Sequence, residues 1–188
     1  MFIQTEETPN PATLKFLPGH EVAGAATADF PDPAAAGRSP LAERLFTIDG
    51  ITGVFLGADF VTVTKAADKE WYLLKPAVLG VIMEHFAAGR PVLLEDASGG
   101  ASGPEEKVSE EDSEVVAQIK ELLDTRVRPA VAQDGGDIIF HAFEEGVVFL
   151  TMQGACAGCP SSTATLKMGI ENMLRHYIPE VQEVRAVV

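Results

Sequence analysis

Residues 147–162 decide the fold of the C-terminal half of this chain, and they read VVFLTMQGACAGCPSS. The first six are mostly β-branched, aromatic or apolar and predict a strand, whereas the proline and the serines are typical of a helix start. The small residues in between include Cys156 and Cys159, the only two cysteines of the chain. We therefore predict that both thiols lie in a loop at a strand-to-helix junction.

The segments on either side of this stretch predict a small α+β domain over residues 113–188. Apolar residues at helical spacing come first and predict a helix that ends near Pro129 or soon after it. The β-rich runs 138–143 and 147–152 then predict a hairpin. A second apolar helix face and a last strand, residues 181–188, follow the cysteines. The expected order of elements is α-β-β-α-β.

Residues 1–94 predict a second, separate α+β domain. Strand and helix signals alternate there: short strands at 3–5 and 13–16, a helix that starts at Ser39 and Pro40, a hairpin within 53–64 and a helix through 74–86. Pro76 is expected either to start the last of these helices or to kink it.

An acidic, Gly/Ser-rich linker is expected between the two domains, at residues 95–112. Residues 95–114 contain eight acidic residues and one lysine, so half of the net charge of −14 lies in this short stretch. Because the stretch lacks apolar periodicity, we expect a solvated and flexible connection.

Composition excludes several classes of protein. The chain has 188 residues, of which 46% are hydrophobic, so it can form one large or two small domains with real cores. The negative net charge argues against nucleic acid as a partner. No apolar run has the roughly 20 residues of a membrane span, and no secretory signal is visible. Two cysteines so close together do not staple a secreted fold, so we predict a cytoplasmic protein.

The cysteine pair predicts a metal or cluster site that one chain only half completes. Thiolates bind soft metals, and a helix start lowers the pKa of a nearby thiol. Iron–sulfur clusters and structural zinc normally take four protein ligands, so a second chain or an exogenous thiol must supply the other two. The residues alone also leave open a thiol–disulfide redox protein, a structural zinc site across a dimer, and a pair of packed thiols.

Other candidate sites are weaker. Asp134 and Asp137 resemble a carboxylate pair for Mg²⁺ or acid–base chemistry, but glycines between acids are more typical of a tight turn. Four histidines are scattered, and none has metal-ligand spacing to the cysteines: His20, His85, His141 and His176. No phosphate-binding loop or nucleophile motif is present, so nothing in the sequence indicates an enzyme.

Several motifs together resemble the NifU-like (Nfu) iron–sulfur proteins. The C-terminal domain of that family is matched by four stretches: QDGGD at 133–137, QGACAGCPSS at 153–162, LKMGIEN at 166–172 and IPEV at 178–181. TEETPNPATLKFLPG at 5–19 resembles the opening of the N-terminal domain found in one branch of the family. The resemblance covers nearly the whole chain outside the linker.

The resemblance implies a carrier rather than a catalyst. Nfu proteins hold a labile 4Fe-4S cluster between two chains, and Cys156 and Cys159 match the ligands that each chain contributes. It therefore implies a homodimer on cluster binding, apo iron–sulfur proteins as clients, and an upstream cluster-assembly scaffold as donor. The resemblance does not give the role of the N-terminal domain; because a linker tethers it to the cysteine domain, we hypothesise that it docks clients. A bacterial cytosol is expected, and a processed mitochondrial matrix form would look the same.

Overall fold

In a computed structural model of the chain, the described residues are 2–24, 27–94, 113–155 and 160–187, with side chains in the last range from residue 164 onward. The chain divides into two compact units, Met1–Ala101 and Ser102–Val188, and each has its own hydrophobic core. Both units combine helices with a sheet, which confirms the predicted α+β class with two domains. The predicted linker and the cysteine pair lie outside the described residues, and the predicted domain bounds stay a prediction.

The first unit is built on an antiparallel sheet. Its strands are β1 (Gln4–Glu7), β2 (Thr13–Leu17), β3 (Ala28–Phe30), β4 (Ile51–Leu56) and β5 (Val61–Lys65). They lie in the order β1-β2-β5-β4-β3. The helical segments are a 3₁₀ helix (Pro33–Arg38), α1 (Pro40–Phe46) and α2 (Trp71–Ala87). Phe16, Leu45 and Ile82 are fully buried and join sheet and helices in one core.

The start of α1 agrees with the prediction and shows its physical cause. The Ser39 hydroxyl accepts a hydrogen bond from the backbone N–H of Ala42 at 3.1 Å, and Pro40 occupies the first turn. The same hydroxyl donates to the carbonyl of Val92 at 2.6 Å. Ser39 therefore caps α1 and also ties the segment after α2 to it.

Helix α2 begins at Trp71, so Pro76 lies inside the helix, and of the two expected roles for Pro76 the structure excludes the helix start. Strand β3 and the 3₁₀ helix after it were not predicted. β3 has only three residues, of which Phe30 alone is buried, so its sequence carries almost no periodic signal.

The second unit places helices around a three-stranded sheet. Its elements are α3 (Ser113–Leu122), a π-helical stretch (Leu123–Val127), α4 (Arg128–Gln133), β6 (Gly136–Glu144), β7 (Val147–Gly154), α5 (Pro160–Tyr177) and β8 (Glu183–Ala186). The strand order is β6-β7-β8, with β6 antiparallel and β8 parallel to the central β7. Ile119, Leu150 and Leu174 are fully buried in the shared core.

The first helical region of this unit continues past Pro129 to Gln133. A proline has no N–H and cannot complete a regular helical turn, and the wider π-helical turn directly before it accommodates that gap. The hairpin turn is as expected, because Glu145 and Gly146 both have positive φ, 49° and 80°, as a two-residue turn of this kind requires. Strand β8 is shorter than the predicted 181–188.

Candidate functional site

The strand that leads to the cysteines and the helix that follows them are both in place. β7 ends at Gly154, α5 begins at Pro160, and the described residue before the gap, Ala155, is buried. Cys156 and Cys159 themselves lie outside the described residues. The sequence neighbours of the pair are therefore a strand end on one side and a helix start on the other, as the sequence predicted.

The chain entering the cysteine segment is anchored to the start of β6. Gly136 lies opposite Gly154 in the β6–β7 pairing, and the backbone N–H of Ala155 donates to the carbonyl of Gly135 at 3.2 Å. Gly135 and Gly154 have φ of 80° and 68°, which favours glycine at both positions. The chain bends at each of these two glycines, and the bends put the α4–β6 turn next to the end of β7.

Asp134 and Asp137 of that turn have different contacts. Asp134 ends α4 and is exposed, whereas the Asp137 side chain is only 6% exposed. The guanidinium of Arg128 donates from Nε and Nη2 to the two carboxylate oxygens of Asp137, each at 2.9 Å. The Asp137 carboxylate also accepts from the backbone N–H of Ile138 at 2.8 Å. This arrangement supports the turn interpretation of the two aspartates over a Mg²⁺ site.

The ion pair between Arg128 and Asp137 stabilises the α4–β6 turn, and the sequence did not reveal it. The hydrogen bonds to Asp137 raise the pKa of the Arg128 guanidinium, and Asp124 contributes through a second contact at 3.3 Å. Arg128 lies in the first turn of α4 and Asp137 at the start of β6, so the pair joins the two elements that flank Gly135. The only sequence signal was an arginine nine residues before an aspartate.

Among the described residues, no group of three or more histidine, cysteine or acidic side chains is positioned to hold a metal ion. The histidines have other surroundings: His85 is buried beside the Pro91 carbonyl, and the rings of His20 and His176 lie near Phe86 and Tyr177. His141 is half-buried in β6. Cys156 and Cys159 remain the candidate ligands.

Comparison with known families matches both units. Residues 3–89 match the family described as "Scaffold protein Nfu/NifU N terminal", and residues 119–185 match the "NifU-like domain". The chain belongs to the Nfu/NifU scaffold family. This confirms the resemblance noted in the sequence, and the cysteine pair of this Nfu chain falls within the NifU-like match.

Relatives support the assignment over the full length of the Nfu chain. A human protein named "NFU1 iron-sulfur cluster scaffold homolog, mitochondrial" is 56% identical over all 188 residues, which span 72% of its length. A protein of the same name from Drosophila yakuba is also 56% identical, and the chain spans 65% of it. Both printed names place those relatives in mitochondria, so the bacterial cytosol stays a prediction for this chain.

Solved structures give a more distant match. The NMR structure of a NifU-like protein from Saccharomyces cerevisiae is 26% identical to this chain, with a TM-score of 0.44. The match covers 50% of this chain and 86% of the yeast chain.

Within the described part of the chain, no helix combines the length and the apolar character that crossing a bilayer requires.

Proposed function

We propose that this protein is an iron–sulfur cluster scaffold and carrier. It holds a 4Fe-4S cluster as cargo through Cys156 and Cys159 of two chains and transfers the cluster to apo-proteins. The observation that carries the proposal is the position of the cysteine pair. In the sequence the pair falls between Ala155, which is buried, and Pro160, where α5 begins, and relatives of the chain are named iron–sulfur cluster scaffolds.

The donor set of the chain supports sharing of the cluster. Each iron of a 4Fe-4S cluster takes one external ligand, usually a cysteine thiolate, so four thiolates are needed. One chain has two. Two copies of the same pair complete the set, and the described residues offer no further cluster of ligating side chains.

The local electrostatics suit an anionic cargo. Helix α5 starts directly after Cys159 and has no acidic residue in its first turn. Its free N–H groups and its dipole favour negative charge, which stabilises thiolate over thiol. Three peptide units separate the Cα atoms of Cys156 and Cys159, so these atoms are at most about 11 Å apart. Both thiolates can therefore reach one cluster.

Transfer follows from how the cluster is held. A cluster bound by two chains loses half of its ligands when the chains separate. Thiolates of a client protein then replace those of the carrier one at a time, so the cluster moves as a unit. Each exchange breaks one bond from iron to a carrier thiolate and forms one bond from the same iron to a client thiolate, with no change of oxidation state. The protein catalyses no other reaction on this proposal, so it is not an enzyme.

The remaining assignments belong to the same proposal. Residues 113–188 form the cluster-binding domain, 95–112 the linker, and 1–94 a domain that docks clients. An upstream assembly scaffold supplies the cluster. We assign the protein to the bacterial cytosol or to a mitochondrial matrix, and the printed names of the relatives favour a mitochondrial location.

The deciding measurement is the iron and sulfide content per chain after anaerobic reconstitution, together with the solution mass of the same sample. About two irons and two sulfides per chain in a dimer are expected for a shared 4Fe-4S cluster. Zinc without sulfide would instead assign a structural zinc site across a dimer. A metal-free monomer that turns over a disulfide substrate would assign thiol–disulfide chemistry.

A further inference from the structure

The residues directly after α2, 90–94, fold back against the first unit and are called the strap below. The Ser39 hydroxyl donates to the carbonyl of Val92 at 2.6 Å, and the backbone N–H of Leu94 donates to the carbonyl of Arg38 at 3.0 Å. Val92 also packs, partly buried, against the core. The strap is therefore part of the folded unit up to the residue where the predicted linker begins.

His85 of α2 contacts the strap from within the fold and is fully buried. Its ring nitrogen Nε2 lies 3.0 Å from the carbonyl oxygen of Pro91. Because a carbonyl oxygen only accepts hydrogen bonds, Nε2 carries the proton of the neutral ring, and Nδ1 is left as an acceptor. Nδ1 is enclosed and has no hydrogen-bond partner among the described residues.

Arg44 of α1 offers the complementary donor. Its Nη2 is 3.0 Å from the Glu84 carboxylate, whereas its Nη1 is enclosed without a partner among the described residues. Helix α1 packs against α2, and the charge of Arg44 acts on His85. One buried donor and one buried acceptor therefore lack partners in the same corner of the fold. A small movement or one ordered water would satisfy both.

A second proton on His85 would disrupt this corner. Nδ1 would become a donor that opposes the Arg44 donor, and a buried cation would lie near Arg44 and Arg90. Burial lowers the pKa of His85; the hydrogen bond to the Pro91 carbonyl raises it in part, and the charges of Arg44 and Arg90 lower it further. Glu84, the neighbouring acid on α2, is exposed and already paired with Arg44.

His20 also lies near this corner, with its ring 6.4 Å from the ring of Phe86. It is exposed, so it is solvated in either charge state. The groups that surround the His85 ring thus favour its neutral form, and the positive charges around it oppose protonation.

We propose that the strap is an acid-sensitive clasp: neutral His85 holds residues 90–94 against the helices through Pro91, and protonated His85 releases them. Release exposes the ring, which then takes up a proton with its ordinary pKa near 6.5. The stabilisation of the closed strap is therefore complete above about pH 6.5 and is lost as the pH falls below that value.

Release of the clasp lengthens the connection between the two domains. Five residues, 90–94, join the predicted linker and add up to about 17 Å to its reach. The length of a tether sets the effective concentration of one domain at the other. The clasp involves neither cysteine, so it does not depend on the proposed function.

The test is hydrogen exchange of the full chain, followed by NMR at pH 7.5 and 5.5 and corrected for the intrinsic effect of pH. The Leu94 amide reports on the strap. The protection of Leu94 should fall several-fold at pH 5.5, with a limit of about tenfold set by an ordinary histidine pKa. The Lys65 amide, which donates to the Ala12 carbonyl at 2.8 Å, reports on the sheet and should exchange more slowly than Leu94 at both pH values.

His85→Gln is the matched variant, because its side-chain amide can donate to the Pro91 carbonyl and does not titrate. Its Leu94 protection should be the same at both pH values, and circular dichroism should show it folded. Unchanged protection in the wild type, or an equal loss in the variant, would overturn the clasp. So would Leu94 exchange no faster than that of Lys65, since the strap would then open only when the whole unit unfolds.

A second measurement needs no variant. Long-range ¹H–¹⁵N spectra of the wild type read which ring nitrogen of His85 carries the proton. The proton should be on Nε2 at pH 7.5, and the ring should titrate below pH 6.5 together with the Leu94 amide signal. A proton on Nδ1, or a titration that leaves Leu94 unaffected, would contradict the proposal.

Discussion

The pair formed by Arg128 and Asp137 offers a sharp test of how the turn beside the cysteines is stabilised. We predict that Asp137→Asn lowers the free energy of unfolding of the second unit by about 2–3 kcal/mol. The change removes a carboxylate that is 6% exposed and accepts two hydrogen bonds of 2.9 Å from Arg128. The cost is below that of a fully buried pair because Arg128 is 37% exposed and water solvates it in part.

Asp124→Asn is the matched control, because it removes the other carboxylate that contacts the same arginine. The Asp124 side chain is 61% exposed and its contact with Arg128 is 3.3 Å long. An exposed pair of this kind contributes about 0–0.5 kcal/mol. The difference between the two variants therefore measures what burial and the second hydrogen bond to Arg128 together add to the pair.

Urea unfolding provides the assay, with the transitions of the two units followed separately. Trp71, the single tryptophan, lies in the first unit, so its fluorescence reports on that unit alone, whereas far-ultraviolet circular dichroism reports on both. At a slope of about 1–1.5 kcal/mol per molar urea, the expected loss moves the second-unit midpoint down by about 2 M. The Trp71 transition should not move. Equal, small effects of the two substitutions would refute the argument.

Three further predictions follow from the site and from the first unit. Cys156→Ser or Cys159→Ser should abolish stable cluster binding and cluster-linked dimerisation while circular dichroism stays unchanged, and full iron and sulfide in either variant would falsify the ligand assignment. Deletion of residues 1–94 should preserve iron and sulfide content but slow transfer to an apo-client, and an unchanged transfer rate would remove the docking role. Burial raises the pKa of Asp29 to about 6, so the folded state loses stability as pH rises from about 4 to 6. Asp29→Asn should therefore stabilise the first unit by about 1–2 kcal/mol at pH 7.5, after allowance for partial solvent contact, and by nothing at pH 3.5; an equal effect at both pH values would contradict this.

Secondary structure was predictable wherever the signal lies within a few residues. Ser39 and Pro40 predict the start of α1 because a cap and a proline act on the turn that follows them. The turn at Glu145 and Gly146 predicts the β6–β7 hairpin for the same reason. β3 was not predictable, since three residues carry no period and its pairing partner is β4, more than 20 residues away.

In the candidate site, too, the features that depend on neighbouring residues were predictable and those that depend on distant residues were not. The cysteine pair, its position between a strand and a helix, and the incomplete ligand set all follow from residues 147–162. The salt bridge from Arg128 to Asp137 and the hydrogen bond from Ala155 to Gly135 do not. Each depends on which surfaces meet after the chain folds.

The sequence by itself determined the family, the α+β class, the two domains and the cysteines as candidate ligands, because these depend on residue types and on their spacing along the chain. The strand order β1-β2-β5-β4-β3 and the parallel pairing of β7 with β8 were decided by tertiary structure alone. The physical reason is that hydrophobic burial is non-directional, so many arrangements satisfy the same pattern. Close packing and hydrogen bonding between distant segments then select one of them.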